Sequence, residues 1–299
     1  MFTIAYHPIY KHPLPEGHRF PMQKYELLPQ QLLHEGTATA CMFFEPEIVD
    51  LAHVTTVHQQ EYVTDLTQLT LDARAARKIG FPLTEALVER ELRLTEGTIT
   101  ASLNALKDGI AFNIAGGTHH AYSNRGEAFC LLNDQAVAAQ YLLNHNLAKK
   151  ILMVDLDVHQ GNGTAEIFQK NSNVFTFSMH GQSNYPFKKE VSDLDIALAD
   201  GTTDSDYLSI LERTLPMLIE TQKPDFIFYL SGVDILATDK LGKLGCTLAG
   251  CKQRDALVFS LSKRYEIPVQ CSMGGGYSPE IKTIIEAHAN TYRTAKDIY

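Results

Sequence analysis

The stretch ILMVDLDVHQGNG, Ile151 to Gly163, decides how the chain is read. Four apolar residues run straight into Asp155, Asp157 and His159, which occupy every second position. An uninterrupted apolar run of this kind marks a strand buried on both faces, the habit of parallel sheets. Side chains at i, i+2 and i+4 of an extended chain share a face, so the three polar groups converge. Carboxylates cannot sit at the end of a core strand without a counter-charge or a metal.

Outward from that stretch, short apolar runs alternate with amphipathic segments. Strands are expected at Phe2–Tyr6, Ile110–Ala115, Ile151–Leu156, Val174–Met179, Phe226–Leu230 and Val269–Met273. Helices are expected at Met22–His34, Leu83–Leu106, Asn133–His145, Gly163–Lys170, Asp206–Glu220, Leu248–Tyr265 and Glu280–Ala289. Alternation of this kind predicts α/β architecture: three layers, with a mostly parallel central sheet flanked by helices. No linker, charge block or repeat divides residues 1–299, so a single domain is expected. Functional groups of such sheets gather outside the carboxyl ends of the strands. Four runs end in polar or Gly-rich clusters, GGTHHA, DLDVHQGNG, SGVD and GGGY, and these are expected to border one crevice.

Composition narrows the function. The net charge is −9 with His neutral, which argues against a nucleic-acid partner, since that needs a basic face. No apolar run approaches the length of a membrane span, and the start lacks the pattern of a signal peptide. Five cysteines, odd in number and without a CxxC pair, read as reduced thiols of a cytoplasmic protein.

Asp157, His159 and Asp234 are the candidate metal ligands. Two carboxylates and one imidazole suit Zn²⁺ with a fourth place for water, and would also hold Fe²⁺ or Mn²⁺. Either aspartate alone reads as a helix N-cap; the D-x-H pair closing an apolar run reverses that. Asp155, one pleat deeper, reads as a carboxylate that orients a histidine or binds a monovalent cation. His119 and His120 in a Gly-rich turn are a candidate proton-transfer pair. Tyr277, after three glycines, is placed to donate to an oxyanion. Phe129 and Tyr185 are candidate walls of an apolar slot, although aromatics at such places are usually plain core.

In this order, GGTHHA, FCLLND, DLDVHQGNG, SGVD and SMGGGY resemble the zinc-dependent histone deacetylase family, which includes the acetylpolyamine amidohydrolases and has the arginase/deacetylase fold. The resemblance runs from about Tyr6 to Glu280, and the wording of DLDVHQGNG is most like class IV and bacterial deacetylase-like members. It implies that Asp157, His159 and Asp234 bind zinc and that His120 is the general base toward the metal-bound water. It also implies that His119, oriented by Asp155, assists electrostatically and in delivering a proton to the leaving amine. Tyr277 would stabilise the oxyanion, and Phe129 and Tyr185 would clasp the stem of an acylated lysine, with Ala128 and Gly275 also at the substrate. Asp155, the carbonyls of Asp157, His159 and Met179, and the hydroxyl of Ser178 would form a structural potassium site.

Three residues depart from the family pattern. Gln160 replaces a second histidine, Asn162 replaces the aspartate that faces the second catalytic histidine, and Ala128 replaces a glycine. An amide orients His120 but cannot stabilise an imidazolium as a carboxylate does, and a methyl at Ala128 introduces strain if φ is positive. The expected activity is metal-assisted hydrolysis of an acyl-lysine peptide or protein, or of a small N-acylated amine. The rivals are an acetylpolyamine amidohydrolase and a deacetylase-like scaffold without chemistry. An arginase-like manganese enzyme would want a further acid where Gly161 stands.

Overall fold

The run at Ile151–Asp155 is a strand buried along its whole length, and the strands on either side of it are almost as completely buried. In the computed structural model, which describes residues 2–299, one sheet is built from β1 (Thr3–Ala5), β2 (Phe43–Phe44), β3 (Ile110–Asn113), β4 (Ile151–Asp155), β5 (Val174–Gly181), β6 (Leu194–Leu198), β7 (Phe226–Leu230) and β8 (Val269–Ser272). The order is β2-β1-β3-β8-β7-β4-β5-β6, and every pairing is parallel. The helices are α1 (Lys24–His34), α2 (Leu51–Val54), α3 (Gln60–Thr67), α4 (Ala73–Ile79), α5 (Glu85–Asp108), α6 (Asp134–Asn144), α7 (Asn162–Phe168), α8 (Asp204–Gln222), α9 (Leu248–Arg264) and α10 (Ile281–Ile298).

Strand alternation on β3 shows the layers. Phe112 packs its ring on Phe259 of α9 at 6.1 Å and on Tyr292 of α10 at 4.5 Å. Its neighbour Asn113 turns to the other face, where Nδ2 donates to the Leu94 carbonyl of α5 at 2.9 Å. Both faces of the sheet are therefore covered, and each large apolar side chain so buried contributes about 1.5–3 kcal/mol. The long helix α5 is set locally: Thr84 Oγ1 caps it by accepting Leu87 N–H at 3.1 Å, and Gly109 ends it at φ 85°.

β2 and β6 escape sequence reading for a physical reason. The first has two residues, and the second is a partly exposed edge strand carrying Asp195. The last helix runs well past the expected Ala289, because Thr291, Tyr292 and Ala295 continue its buried stripe.

β3, β8, β7 and β4 are consecutive in the sheet, so the loops bearing GGTHHA, GGGY, SGVD and DLDVHQGNG leave neighbouring carboxyl ends. Arg254 of α9, fully buried, fastens two of those ends. Its Nη1 donates to Gly232 O at 2.5 Å and Leu156 O at 3.3 Å, and its Nη2 to Ser231 O at 3.1 Å. Asp255 accepts from Arg254 Nε at 3.0 Å and from Thr291 Oγ1 at 2.7 Å. Replacing Arg254 with Leu strands a buried carboxylate and three carbonyls. The substitution should lower the unfolding free energy by about 3–5 kcal/mol in a denaturant titration; a loss under ~1 kcal/mol would show the clamp to be dispensable.

Candidate active site

Asp157, His159 and Asp234 are all buried, and their ligand atoms lie within 4.8 Å of one another. Backbone amides hold the carboxylates in place. Asp157 Oδ1 accepts His159 N–H at 3.0 Å, and its Oδ2 accepts Gly275 N–H at 2.8 Å. Asp234 Oδ1 accepts Val158 N–H at 3.0 Å, whereas Asp234 Oδ2 is buried with no hydrogen-bond partner. The chain comes too close here for side chains. A Cβ on Gly232 would meet Asp157 Oδ2 at 2.2 Å, and one on Gly275 would meet Asp234 Oδ2 at 2.0 Å. An orphaned carboxylate oxygen beside a second carboxylate and an imidazole nitrogen is a donor set that fits a dication. His159 Nδ1 is hydrogen-bonded to Asp157 Oδ1 at 3.0 Å and lies 3.2 Å from Asp234 Oδ2, outside hydrogen-bond geometry, so all three donors face one point. Burial, the largest influence, pulls this ring down, but the hydrogen bond to Asp157 and the negative charges of both aspartates push it up to about 10.

The tandem histidines differ in what orients them. His119 Nδ1 lies 2.7 Å from Asp155 Oδ2, and His120 Nδ1 lies 2.6 Å from Asn162 Oδ1. Because Asn162 Nδ2 donates to Tyr122 Oη at 2.9 Å, its Oδ1 faces His120 and can only accept. His120 therefore carries its proton on Nδ1 and presents a lone pair at Nε2. Burial and the charges of His119 and His159 hold His120 well below the usual histidine range. Burial also pulls on His119, but the Asp155 charge and hydrogen bond outweigh it and raise that ring. The two rings lie 4.1 Å apart between centroids with their protonation driven in opposite directions.

Tyr277 stands over the cluster, its ring 6.4 Å from His159 and 5.9 Å from Phe20. Burial and the charges of Asp234 and Asp157 raise its phenol far above the ordinary range, so it stays a proton donor. Lys24, fully buried, sits 5.6 Å from the Tyr277 ring centroid and donates to Gly274 O at 3.0 Å. Burial brings its ammonium down to about 8 against the charges of Asp234, Asp157 and Asp239.

His119, His120, Asp157, His159 and Tyr277 line a cavity of about 460 Å³ whose walls include Phe129 and Tyr185. Tyr185 packs edge-on to His120 at 4.9 Å, and its hydroxyl donates to Glu127 at 2.6 Å. Ala128 and Phe129 have φ of 47° and 69°. Their amides are pinned to the carbonyls at the end of α4, Ala128 N–H to Lys78 O at 2.9 Å and Phe129 N–H to Ile79 O at 2.6 Å. Those bonds hold a left-handed turn in residues that disfavour it, which presents the Phe129 ring to the slot. The Ala128 carbonyl receives only a long contact from Cys130 Sγ at 3.5 Å, so it is free for a substrate N–H. Gly275 is different. Its N–H is committed to Asp157 and its carbonyl to Val233 N–H at 2.8 Å, so it offers the cavity surface rather than hydrogen bonds.

Asp155 and Ser178 are directly paired in register between β4 and β5. The carbonyls of Asp157 and His159, in buried residues, accept no hydrogen bond among the described residues. Free buried carbonyls beside a carboxylate fit a monovalent cation. Ser178 Oγ pairs at 3.0 Å with His180, a ring that burial brings down to about 4. The FCLLND motif proves to be a brace. Asp134 accepts Thr118 N–H at 2.9 Å and Thr98 Oγ1 at 2.7 Å, which fixes the histidine loop to α5. Lys24, Arg254 and Asp239, which accepts Tyr277 N–H at 2.6 Å, are contributors that sequence reading misses. The one available signal is a charged pair, Arg254–Asp255, on the buried stripe of α9.

The sheet and its site define the arginase/deacetylase class of α/β fold. A histone deacetylase domain is matched over residues 18–292, and the chain belongs to that family. An uncharacterized protein of Picosynechococcus sp. is 45% identical over 298 residues, covering 100% of this chain and 99% of the relative. Histone deacetylase 2 of Arabidopsis thaliana is 28% identical, covering 90% of this chain and 72% of the relative. Histone deacetylase 1 of Homo sapiens is 26% identical, covering 94% of this chain and 61% of its own length. Among solved structures, an HDAC homologue complexed with SAHA superposes with a TM-score of 0.86 at 22% identity, covering 100% of this chain and 84% of the other.

The left-handed turn generates a prediction. Ala128→Gly should relieve strain and stabilise the protein by about 0.5–1 kcal/mol, the αL penalty less the extra freedom of glycine when unfolded. Thermal unfolding measures this, and a destabilised variant would contradict the conformation assigned to the turn.

Proposed function

We propose that the protein is a zinc-dependent amidohydrolase that removes an acyl group, with acetyl the expected one, from lysine side chains or similar N-acylated amines. The observation that carries this reading is the orphaned Asp234 oxygen in a buried Asp–His–Asp cluster, at the floor of a slot that also holds two oppositely tuned histidines. Asp157, His159 and Asp234 would hold the ion; Fe²⁺ suits the same donors. A dication there lowers the pKa of a water to ~7 and polarises a carbonyl oxygen.

The chain's own residues supply the rest. Phe129 and Tyr185 enclose the aliphatic stem and exclude water, and the Ala128 carbonyl orients the substrate. His120 Nε2 takes a proton as water adds to the carbonyl carbon, a contribution of roughly 10²–10⁴ in rate. Tyr277 Oη donates to the carbonyl oxygen as negative charge grows on it, worth on the order of 3 kcal/mol. The C–N bond then breaks as the nitrogen receives a proton, with His119, whose imidazolium form Asp155 stabilises, as its donor. The products are a carboxylic acid and a free amine. A structural potassium ion at Asp155, Ser178 and the carbonyls of Asp157, His159 and Met179 would steady the loop carrying the ligands.

An acetyl-lysine peptide should be hydrolysed by the purified protein, and a chelator should abolish the activity. Tyr277→Phe should cut kcat by on the order of 10²–10³. Elemental analysis should find about one dication per chain, lost in Asp157→Ala, as a three-ligand site requires. Turnover surviving in metal-free Asp157→Ala protein would end this reading.

A further inference from the structure

The rim of the slot carries a charge that the chain as a whole does not predict. Net charge is −9, yet the exposed charged groups lining the cavity are Arg19, Lys78 and Lys243. The one carboxylate in the lining is Asp157, on the floor. Each cation is attached to a wall. Arg19 lies 5.0 Å from the Phe129 ring centroid and has no carboxylate partner among the described residues. Lys78 is 3.5 Å from Glu127, the carboxylate that holds the Tyr185 hydroxyl. Lys243 Nζ donates at 3.1 Å to Ser183 Oγ, on the Tyr185 side.

The nearby acids do not cancel them. Glu127 is already shared by Lys78, by Arg125 at 2.8 Å and by Tyr185. Asp200 accepts the Ser183 hydroxyl at 2.5 Å, and Lys243 has no ion pair with a carboxylate among the described residues. The lip beyond Tyr185 adds Phe187, 91% exposed, and the exposed Lys188, while Lys189 Nζ turns in to the carbonyls of Asn184 and Pro186.

We infer that the mouth selects N-acylated amines that carry a carboxylate beside the reacting side chain, above all acyl-lysine with acidic flanks. This inference rests on the proposed hydrolase for its chemistry, but the charge arrangement is independent of it. A basic rim raises the local concentration of an anionic substrate and repels a cationic one, so an acetylated polyamine or a lysine-rich tail is the wrong match. Flanking carboxylates meet the rim while the acylated stem enters the slot, so the preference belongs in KM rather than kcat.

Two measurements separate this inference from the catalytic reading. Labelled acetyl-lysine peptides of one length, flanked by Glu, Gln or Lys, are titrated by fluorescence anisotropy against chelator-treated protein, which reads the mouth without chemistry. The same peptides, a Gln-flanked one ending in acetyl-lysine with a free carboxylate, and acetylated spermidine are then followed for hydrolysis by metal-loaded protein. Glu flanks should be favoured over Gln by about ten-fold, the lower end of electrostatic steering. Lys flanks and the polyamine should rank last. The preference should shrink as salt shortens the screening length below ~8 Å.

It should collapse when Arg19→Gln, Lys78→Gln and Lys243→Gln are combined. It should persist in Lys107→Gln, which removes an exposed charge at the opposite end of the sheet. If the free-carboxylate peptide matches the Glu-flanked one, the anion recognised is a chain terminus; if it falls behind, the anion is a side chain. Equal, reversed or undetectable binding across the three flanks overturns the inference. A binding order that holds while no substrate is turned over would overturn the hydrolase and leave this inference standing.

Discussion

Ionised carboxylates at the end of a dry, parallel sheet have to be neutralised, and much of the architecture around the slot follows from that requirement. Asp155, Asp157 and Asp234 leave two strands that are neighbours in the sheet, where water cannot screen them. Backbone amides of Asp157, Val158, His159 and Gly275 supply part of the compensation. His119 lies 2.7 Å from Asp155, and one oxygen of Asp234 has no hydrogen-bond partner, beside the His159 ring and Asp157. The amides can reach the carboxylates only if the loops come close, so glycine is required at Gly232 and Gly275. The loops in turn hold their place because Arg254 gathers the carbonyls of Leu156, Ser231 and Gly232 from below. The buried charge of the site and the buried charge beneath it are parts of one arrangement.

Much of this was legible in the chain, because local pattern carried it. Apolar runs located the central strands, and a polar cluster after each of four runs pointed to one crevice, which the order β3-β8-β7-β4 supplies. What stayed hidden depends on long side chains reaching across the sequence. Lys24 meets Gly274 across 250 positions, and Arg254 meets Leu156 across 98; no spacing rule connects such pairs. The basic rim was hidden for a related reason. Arg19, Lys78 and Lys243 belong to three separate segments of an acidic chain, and only the fold collects them. The missed edge strands β2 and β6 lack the two-sided burial that gave the others their apolar runs.

The departure at Asn162 takes on meaning against its partner. Identical imidazoles side by side would titrate alike if their surroundings were alike, and a pair of equal bases cannot supply both a proton acceptor and a proton donor. Here one ring is oriented by a carboxylate and the other by an amide. The carboxylate stabilises an imidazolium on His119, whereas the amide fixes the His120 tautomer without contributing charge, and burial, with the charges of His119 and His159, holds His120 well below the usual histidine range. Both acceptors fix ring orientation equally well, so the difference between them acts on protonation alone. In the proposed hydrolase, separating the two rings in this way would assign an acid and a base to chemically identical side chains. An amide at Asn162, in place of the aspartate that the family resemblance leads one to expect, would strengthen the division of labour that the Asp155 contact begins.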